Sequence, residues 1–173
     1  MEKVILVDEL DQEAGFEEKM EAHRQGLLHR AFSVFVFNNA GQLLLQQRAA
    51  HKYHSPLLWS NTCCSHPRPG EKTIDAAHRR CKEEMGIDPV LVHAFSFIYK
   101  VALDQGLTEH EYDHVYIGIY NEAPLMNPEE VTAFKWANLS DVKKDITLHP
   151  HHYTAWFAIC LDQVIEHYKK NEH

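Results

Sequence analysis

The sequence predicts an α+β protein in which helices flank a mixed β-sheet. Three observations support this fold class. Apolar runs such as residues 31–38 (AFSVFVFN) are too short for helices and rich in Val and Phe, which is typical of buried strands. Residues 73–86 and 153–168 instead repeat apolar side chains at helical spacing. The strands and helices do not alternate strictly, so a regular succession of βαβ units is not expected.

The composition indicates one domain of ordinary size. With 173 residues and 45% hydrophobic content, the chain is long enough for a sheet with helices packed on it. We therefore expect a single domain over residues 1–173. We also expect a monomer or a weak homodimer.

Net charge, the first residues and cysteine usage indicate which kinds of partner and which cellular compartment to expect. The net charge of −8 argues against nucleic acid and against an anionic membrane surface. The first residues, MEKVILVDELDQE, are acidic and contain only one short apolar run, VILV, which fits neither a signal peptide nor a membrane span. Four cysteines without a disulfide-like framework suit reduced thiols. We therefore expect a cytoplasmic protein whose partner is a small molecule.

The first half of the chain is expected to be strand-rich. Residues 4–7 predict a short strand, and residues 17–28 predict a helical or irregular segment. Residues 31–38 form a buried strand, and the turn residues 39–41 (NAG) follow it. Residues 43–48 then return as the second arm of a hairpin.

The central helix has a stripe of apolar residues on one face, spaced three and four apart: Ile74, Ala77, Cys81 and Met85. Thr73 is expected at its N-cap and Gly86 at its end. Arg80 and Glu84 are one turn apart, so both side chains lie on one face next to that stripe. An ordinary i,i+4 ion pair is the alternative explanation of this pair.

The second half predicts three more strands and two more helices. Residues 95–103 and 114–121 are strands joined by 104–106, and residues 132–137 follow a loop as another strand. Ser140 is expected to cap a short helix. The final helix carries one apolar face, made by Tyr153, Trp156, Phe157, Cys160, Val164 and Tyr168.

Three histidines and two glutamates are candidate metal ligands. His23 and His29 precede the first long strand, and His66 lies in the loop before the central helix. Glu109 and Glu111 are two residues apart, so on an extended segment both carboxylates point the same way. A mixed set of nitrogen and oxygen ligands suits Zn, Mn or Mg-like ions better than a thiolate cage does.

Sequence spacing alone leaves two alternatives to this metal site open. One is a structural zinc held by Cys63 or Cys64 together with His66, although a single Cys-x-His without a second knuckle is a weak signal. The other is that each histidine is solvated or packed on its own, because no single one of them has a diagnostic neighbour.

The loop and central helix together resemble the Nudix box. The family pattern is Gly, five residues, Glu, seven residues, Arg-Glu-aliphatic, one residue, Glu-Glu, one residue, Gly-aliphatic. The corresponding residues here are Ser65, Glu71, Arg79, Arg80, Cys81, Glu83, Glu84, Gly86 and Ile87. Ser65 replaces the first Gly. Arg80 replaces the Glu with which Nudix hydrolases hold magnesium, which argues against diphosphate hydrolysis.

Four further runs resemble the type 1 isopentenyl diphosphate isomerases of the Nudix superfamily. They are HRAFS at His29, NTCCSHP at Asn61, RRCKEEMG at Arg79 and TEHEYDH at Thr108. They occur in the family's order and separations, and the likeness extends from about Lys19 to Trp156. The resemblance implies an α/β/α Nudix-like fold. It also implies interconversion of isopentenyl diphosphate and dimethylallyl diphosphate in isoprenoid biosynthesis.

The resemblance also assigns roles to individual residues. One divalent metal (Mg, Mn or Zn) would be bound by five side chains: His23, His29, His66, Glu109 and Glu111. Cys64 would be the catalytic thiol and Glu111 its counterpart carboxylate. Glu84 would help to hold a Mg²⁺ ion on the substrate diphosphate. The basic residues around the diphosphate would be Lys19, Arg48, Lys52 and Arg80.

The chemistry of a double-bond shift agrees with these roles. Protonating an alkene and removing a proton from the neighbouring carbon requires an acid, a base and a dry site, and Cys64 and Glu111 can supply the two groups. Tyr99 can hydrogen-bond Glu111. Trp156 can stabilise the carbocation with its aromatic face, by roughly 0.5 to 2 kcal/mol. The alternatives are a packing role for Trp156 and a small buried hydrophobe at Cys64.

Two other functions compete with isomerisation. A Nudix pyrophosphohydrolase shares the expected fold and magnesium dependence, but it should keep Glu at position 80 and has no need of Cys64. A metal-stabilised module that binds a diphosphate without turning it over has no need of Cys64 and Glu111 together. The sequence therefore favours the isomerase.

Overall fold

A computed structural model describes residues 2–170. Within that range a nine-stranded mixed β-sheet is flanked by helices, which confirms the predicted α+β class. The strands are β1 (Lys3–Val7), β2 (Glu13–Glu18), β3 (His29–Phe37), β4 (Gln42–Arg48), β5 (Trp59–Ser60), β6 (Cys63–Ser65), β7 (Leu91–Ala102), β8 (Thr108–Ile119) and β9 (Val131–Asn138). The helices are α1 (Lys19–Gln25), α2 (Thr73–Met85), α3 (Leu139–Leu148) and α4 (Ala155–Lys170).

Strand β3 is the centre of the sheet. It pairs in parallel with β8 along its whole length, and on its other side it contacts β6, β1 and β4. Its side chains alternate between two apolar cores: Phe35 and Phe37 pack with α4, whereas Val34 and Val36 pack with α2. The continuous apolar run of β3 is explained by this burial on both faces.

The two longest helices cover opposite faces of the sheet. All six residues of the predicted apolar face of the final helix are buried in the core between the sheet and α4, although Tyr153 lies before the helix, which begins at Ala155. On α2, Ala77, Cys81 and Met85 are fully buried, whereas Ile74 is only partly buried. The sheet therefore lies between two helical layers, as the resemblance implied.

The helix ends differ from the prediction at two of three positions. Gly86 ends α2 in the left-handed conformation (φ 65°), and a Cβ there would lie 2.5 Å from the Leu125 carbonyl oxygen, so glycine is required. Thr73 is the first helical residue and Lys72 is the N-cap, so the prediction for Thr73 was wrong by one position. The N-cap of α3 is Asn138 rather than Ser140.

The predicted hairpin is confirmed only at its turn. Strands β3 and β4 pair at Phe37 and Leu43 and then separate. They separate because β6 pairs with β3 while β9 pairs with β4 along its length. Strand β6 therefore lies next to β3 where β4 has diverged from it. The sequence also gave no sign of β2, which occupies residues 13–18.

The strand predicted to begin at His114 is longer than expected. Strand β8 begins at Thr108, so Glu109 and Glu111 lie inside it and on the same face. A 3-10 turn at Asp104–Gly106 joins it to β7. No helix within residues 2–170 is both long and apolar enough to cross a membrane.

Candidate active site

A cavity of about 60 Å³ is lined by residues of the sheet (β4, β6, β7 and β8), of α1, of the β4–β5 loop, of α2 and of α4. Most of the predicted functional residues line it: Lys19, Arg48, Lys52, Cys64, His66, Arg80, Glu84, Tyr99, Glu109, Glu111 and Trp156. His23 and His29 are fully buried behind this lining and contact it through His66. The fold thus brings all the predicted site residues into one region.

Strand register places three of these residues in a row. Glu111 on β8 is paired with His29 on β3 and with Tyr99 on β7. The Tyr99 hydroxyl lies 2.7 Å from Glu111 Oε2 and 2.9 Å from Glu109 Oε2. A phenol has one proton to donate, so it can satisfy only one of two ionised carboxylates at a time.

The two carboxylates respond to this environment in opposite ways. Burial, reinforced by the charge of Glu111, raises the pKa of Glu109 well above its usual value. Burial opposes the ionisation of Glu111, but the imidazoles of His29 and His66 outweigh it and lower its pKa well below the usual value. Glu111 is therefore the carboxylate that stays ionised.

The imidazoles are held with their Nε2 atoms facing one another. His23 Nδ1 donates to the carbonyl of Lys19 at 2.7 Å, and His29 Nδ1 donates to the carbonyl of Leu27 at 2.8 Å. These bonds fix the tautomers and leave Nε2 lone pairs on both rings. His29 Nε2 lies 3.2 Å from His66 Nε2, and among the described residues His23 Nε2 has no hydrogen-bond partner.

This arrangement fits a divalent cation. One ligand atom from each of His23, His29, His66 and Glu111 lies within 4.8 Å of the others. Ligands on one ion, at bonds of about 2.1 Å, are separated by about 3 to 4 Å. Burial lowers the pKa of His66 to about 4, although the Glu111 side chain opposes this shift, so His66 is in the neutral form that metals bind.

Glu109, the fifth predicted ligand, lies slightly apart from these four. Its carboxylate groups with His23 and with His54, a histidine that sequence reasoning did not single out. His23 belongs to both groups. The predicted set is therefore brought together, with Glu109 turned toward Tyr99 and His54.

The two adjacent cysteines face opposite sides of β6. Cys63 is fully buried among residues that pack against α2, whereas Cys64 lines the cavity and contacts the core beside α4. Strand alternation alone separates them in this way. Burial raises the pKa of the Cys64 thiol far above its usual value, and the nearby Arg48 only partly opposes this, so Cys64 keeps its proton.

Two of the predicted cations are joined by a carboxylate at the mouth of the cavity. Arg80 Nη2 lies 2.7 Å from Glu84 Oε1 and 3.2 Å from Glu130 Oε1. Lys52 also pairs with Glu130. Gln46 Nε2 donates to the other oxygen of Glu84 at 2.8 Å, which fixes that buried carboxylate. Two cations and two carboxylates thus form one polar wall.

Arg48 and Lys19 occupy other sides of the cavity. Arg48 donates to the carbonyls of His54 and Ser55, both at 3.1 Å, and its guanidinium lies 5.4 Å from the centre of the Trp156 ring. Lys19 Nζ lies 3.2 Å from Glu2 Oε2. Arg48 therefore ties the β4–β5 loop to the aromatic wall.

Trp156 combines the two roles that the sequence left open. It is 3% exposed and packs in the core beside α4, yet it also lines the cavity. Packing within α4 is what holds the ring at the cavity surface, so the two interpretations do not exclude each other.

Besides Ser65, which was named only as a departure from the Nudix box, sequence reasoning missed four residues that line the cavity: Gln46, Tyr53, His54 and Glu130. Gln46 is two residues before Arg48 on β4, so strand alternation could have found it. The other three lie in loops between strands, where no periodicity indicates which way a side chain points.

Comparisons with known proteins agree with this site. The NUDIX domain family model matches residues 27–157. Isopentenyl-diphosphate Delta-isomerase 2 of Aromatoleum aromaticum is 53% identical over 95% of this chain and 87% of its own length. The isopentenyl-diphosphate Delta-isomerase of Pectobacterium atrosepticum is 47% identical over 96% of this chain and 93% of its own.

Solved structures share the fold at much lower identity. DR0079 from Deinococcus radiodurans superposes with a TM-score of 0.80 at 19% identity, covering 94% of this chain and 98% of its own. The MutT protein of Methanosarcina mazei gives 0.66 at 16% identity, covering 84% and 96%. The predicted resemblance is thus confirmed: the chain belongs to the NUDIX family and, within it, to the isopentenyl-diphosphate Delta-isomerases.

Proposed function

We propose that this protein interconverts isopentenyl diphosphate and dimethylallyl diphosphate by moving a carbon–carbon double bond one position. The observation that carries this proposal is the cavity itself, where Cys64 with its proton and ionised Glu111 meet in a buried site. Family membership supports the same conclusion. Arg80, at the position where Nudix hydrolases carry a metal-binding Glu, argues against hydrolysis.

The reaction needs one proton donor and one proton acceptor. The donor gives a proton to the terminal CH₂ carbon, which leaves a tertiary carbocation at the branched carbon. The acceptor then removes a proton from the carbon on the other side, and its C–H electrons form the new double bond. With Cys64 protonated and Glu111 ionised, the free site holds one group of each kind. In the reverse direction the two groups exchange roles.

Tyr99 positions the carboxylate of this pair. Its hydroxyl donates to Glu111 Oε2, while Glu111 Oε1 faces His66 Nε2 at 2.9 Å. Each carboxylate oxygen of Glu111 thus has its own contact, Oε2 with Tyr99 and Oε1 with His66, and these contacts fix the orientation of the carboxylate. A carboxylate held in this way loses little freedom when it accepts the proton.

We propose that one divalent ion (Mg, Mn or Zn) is bound by His23, His29, His66, Glu109 and Glu111. The unpaired His23 Nε2 and the facing nitrogens of His29 and His66 support this proposal, because buried lone pairs that converge are unfavourable without a cation between them. The bound ion would fix the geometry and basicity of Glu111. The ligand set also links α1, β3, β8 and the residue that follows β6.

The diphosphate is proposed to bind at the polar wall. Lys52 and Arg80 share Glu130 there, and a diphosphate with more negative charge is expected to replace that carboxylate as their partner. Glu84 lies beside them, where its carboxylate can reach a Mg²⁺ ion carried by the substrate. Lys19 and Arg48 complete the set of four cations, which a chain of net charge −8 needs for an anionic substrate.

The hydrocarbon end is proposed to point toward Trp156. A carbocation has no lone-pair partner in the site, and an aromatic face stabilises it by roughly 0.5 to 2 kcal/mol. The surrounding apolar core also keeps water from capturing the cation.

We further propose that residues 1–173 act as one domain, as a monomer or weak homodimer in the cytoplasm, with Mg²⁺ on the substrate. The four free cysteines support a reducing compartment. The net charge supports a small-molecule partner rather than nucleic acid or a membrane surface.

Incubation of the purified protein with isopentenyl diphosphate and Mg²⁺ tests the proposal. Dimethylallyl diphosphate is the expected product, with no matching release of phosphate. Release of phosphate at a comparable rate would identify a hydrolase instead. Stoichiometric binding without either product would identify a binding module. Cys64→Ala is assayed in the same way as a control. Product formed by this site should be lost in the variant, whereas product formed by a contaminating enzyme should remain.

A further inference from the structure

His54 is a buried histidine that lies directly beside the proposed metal centre. It is 5% exposed and sits in the loop between β4 and β5. Arg48 holds this loop through the His54 carbonyl, and the His54 ring packs edge-on against Trp156, with 5.8 Å between centroids. The ring also stacks over His23 at 6.1 Å. The loop therefore presents this imidazole to the site in a fixed orientation.

The distance between the His54 imidazole and the Glu109 carboxylate is typical of two ligands of one metal ion and not of a hydrogen bond. His54 Nε2 lies 3.6 Å from Glu109 Oε1, which is too long for a hydrogen bond. Two ligands of one octahedral ion, with bonds of about 2.1 Å, lie about 3.0 Å apart when adjacent and about 4.2 Å apart when opposite. A nitrogen of His54, a nitrogen of His23 and an oxygen of Glu109 all lie within 4.8 Å of one another.

His23 shows that this group is not a separate site. Its Nδ1 donates to the Lys19 carbonyl, so Nε2 is the nitrogen left for a metal. That nitrogen is fully buried, has no hydrogen-bond partner among residues 2–170, and can bind only one ion. The group with His29, His66 and Glu111 and the group with His54 and Glu109 must therefore share one ion.

We propose that His54 is an additional ligand of this ion, which gives a centre of four imidazoles and two carboxylates. Full coordination requires the ligand atoms of these six side chains to move closer to a common centre than they lie in this structure. Six nitrogen and oxygen ligands suit ions that accept octahedral geometry, such as Mn²⁺ and Co²⁺. The inference rests on the metal centre proposed above and not on isomerisation, so it is tested without substrate.

Binding of Co²⁺ to the metal-free protein is the experiment, followed by visible absorption and by titration calorimetry. His54→Phe is the test variant because it keeps a ring against Trp156 while removing both nitrogens. We expect Co²⁺ affinity to fall by at least about tenfold. This is the lower end of the loss of metal affinity seen when a residue that only supports the ligands is replaced. We also expect a changed Co²⁺ spectrum. The stoichiometry should stay at one ion per chain.

Two control variants accompany this experiment, one that should not affect Co²⁺ binding and one that should weaken it. His51→Ala removes an exposed histidine whose Nε2 lies 3.9 Å from Glu129, and it should leave affinity and spectrum unchanged. His23→Gln should weaken Co²⁺ binding strongly. In case His54→Phe does not fold, as judged by far-UV circular dichroism, His54→Ala is titrated with Co²⁺ and free imidazole, and imidazole should restore the spectrum.

The outcomes separate this inference from the centre itself. If the unaltered protein binds no Co²⁺, the proposed metal centre fails and this inference fails with it. If it binds Co²⁺ with the same affinity and spectrum after His54→Phe, or after His54→Ala without imidazole, only the assignment of His54 is overturned. Two Co²⁺ ions per chain would overturn the single shared ion.

Discussion

Tyr99 donates its phenolic proton to Glu111 across the β7–β8 pair, with 2.7 Å between the oxygens. The same hydroxyl oxygen is 2.9 Å from Glu109. In the metal-free protein, Glu109 can complete this network only by carrying a proton of its own, which agrees with the rise of its pKa on burial. A single hydroxyl thus bridges two carboxylates that differ in protonation state, Glu109 because of its burial and the charge of Glu111, and Glu111 because of His29 and His66.

Tyr99→Phe should therefore lower kcat by about tenfold to a hundredfold. This corresponds to losing a hydrogen bond to a charged group, about 1.5 to 3 kcal/mol, and Glu111 would lose its fixed orientation. Steady-state kinetics and metal content are the measurements, and metal content should stay near that of the unaltered protein. Tyr112→Phe, on the opposite face of β8, is the control. Equal activities for both variants would show that Tyr99 only packs.

The histidine and glutamate cluster predicts one bound divalent ion. We expect about one transition-type ion per chain in the purified protein, because the nitrogen and oxygen ligands favour such ions. A strong chelator should remove both the ion and the activity, and Mn²⁺ or Zn²⁺ should restore them. Elemental analysis checks the stoichiometry. Full activity in protein that contains no ion other than the Mg²⁺ added with substrate would contradict the need for a transition-type ion at this site.

Asp113 predicts a pH-dependent effect on stability. It lies on the same face of β8 as Glu111, is 1% exposed, and accepts a hydrogen bond from Ser33 at 2.7 Å. Burial, together with the charge of Glu111, raises its pKa from 3.8 to about 8. Between these values the unfolded state has lost the proton that the folded state keeps. The contribution of Asp113 to folding stability therefore falls as pH rises through this window.

Asp113→Asn removes this titration and should raise the free energy of unfolding at pH 8 relative to the unaltered protein. Across the whole pH range between the two pKa values, the difference in free energy of unfolding is on the order of 5 kcal/mol. The stability gained by Asp113→Asn should decrease steadily as the pH falls toward 4. Urea unfolding of the metal-free proteins at several pH values measures the difference. Asp88→Asn is the control with the opposite expectation, since Lys82 and His78 lower the pKa of that exposed carboxylate. A difference for Asp113→Asn that does not change with pH would refute this account.

Local patterns predicted most of the fold. The continuous apolar run of β3, the apolar stripe of α2 and the apolar face of α4 each indicate which residues are buried, and the structure agrees with them except at Ile74, which is only partly buried. The divergence of β3 and β4 was not predictable in the same way. It depends on β6 and β9 pairing from distant parts of the chain, which no local pattern encodes.

The site was predictable as a set of residues but not as a geometry. Motifs indicated His29 and Glu111, and a chemical argument indicated Tyr99, whereas the alignment of the three follows from the register of two non-local strand pairs. The position of His54 depends on the loop that Arg48 holds, so neither periodicity nor spacing could have indicated it.

Arg80 predicts a substrate-binding defect. Arg80→Ala should raise the KM for isopentenyl diphosphate by at least about tenfold with a smaller change in kcat, because a charge-assisted hydrogen bond to the diphosphate would be lost. Steady-state kinetics at fixed Mg²⁺ measures the split. Arg79→Ala is the matched control, since Arg79 binds Glu71 at 2.7 Å and does not line the cavity. A larger effect from Arg79→Ala would indicate that α2 itself is disturbed.

The adjacent cysteines provide the sharpest test of the proposed chemistry. Cys64→Ala should lower kcat by about a hundredfold to ten-thousandfold, the usual cost of losing a proton-transfer group, with little change in KM. Cys64→Ser should also retain little activity. The fold should be preserved, because the thiol lies at the cavity surface and fills little of the core.

Cys63→Ala is the control, because β6 turns that side chain away from the cavity and into the core beside α2. It should remain active but lose about 1 kcal/mol of stability, the approximate cost of a methyl-sized void. Stopped turnover in Cys63→Ala with normal turnover in Cys64→Ala would mean that β6 faces the other way. Activity in both variants would exclude the thiol as a proton donor or acceptor, and Glu111 would then need a different partner among the groups that line the cavity.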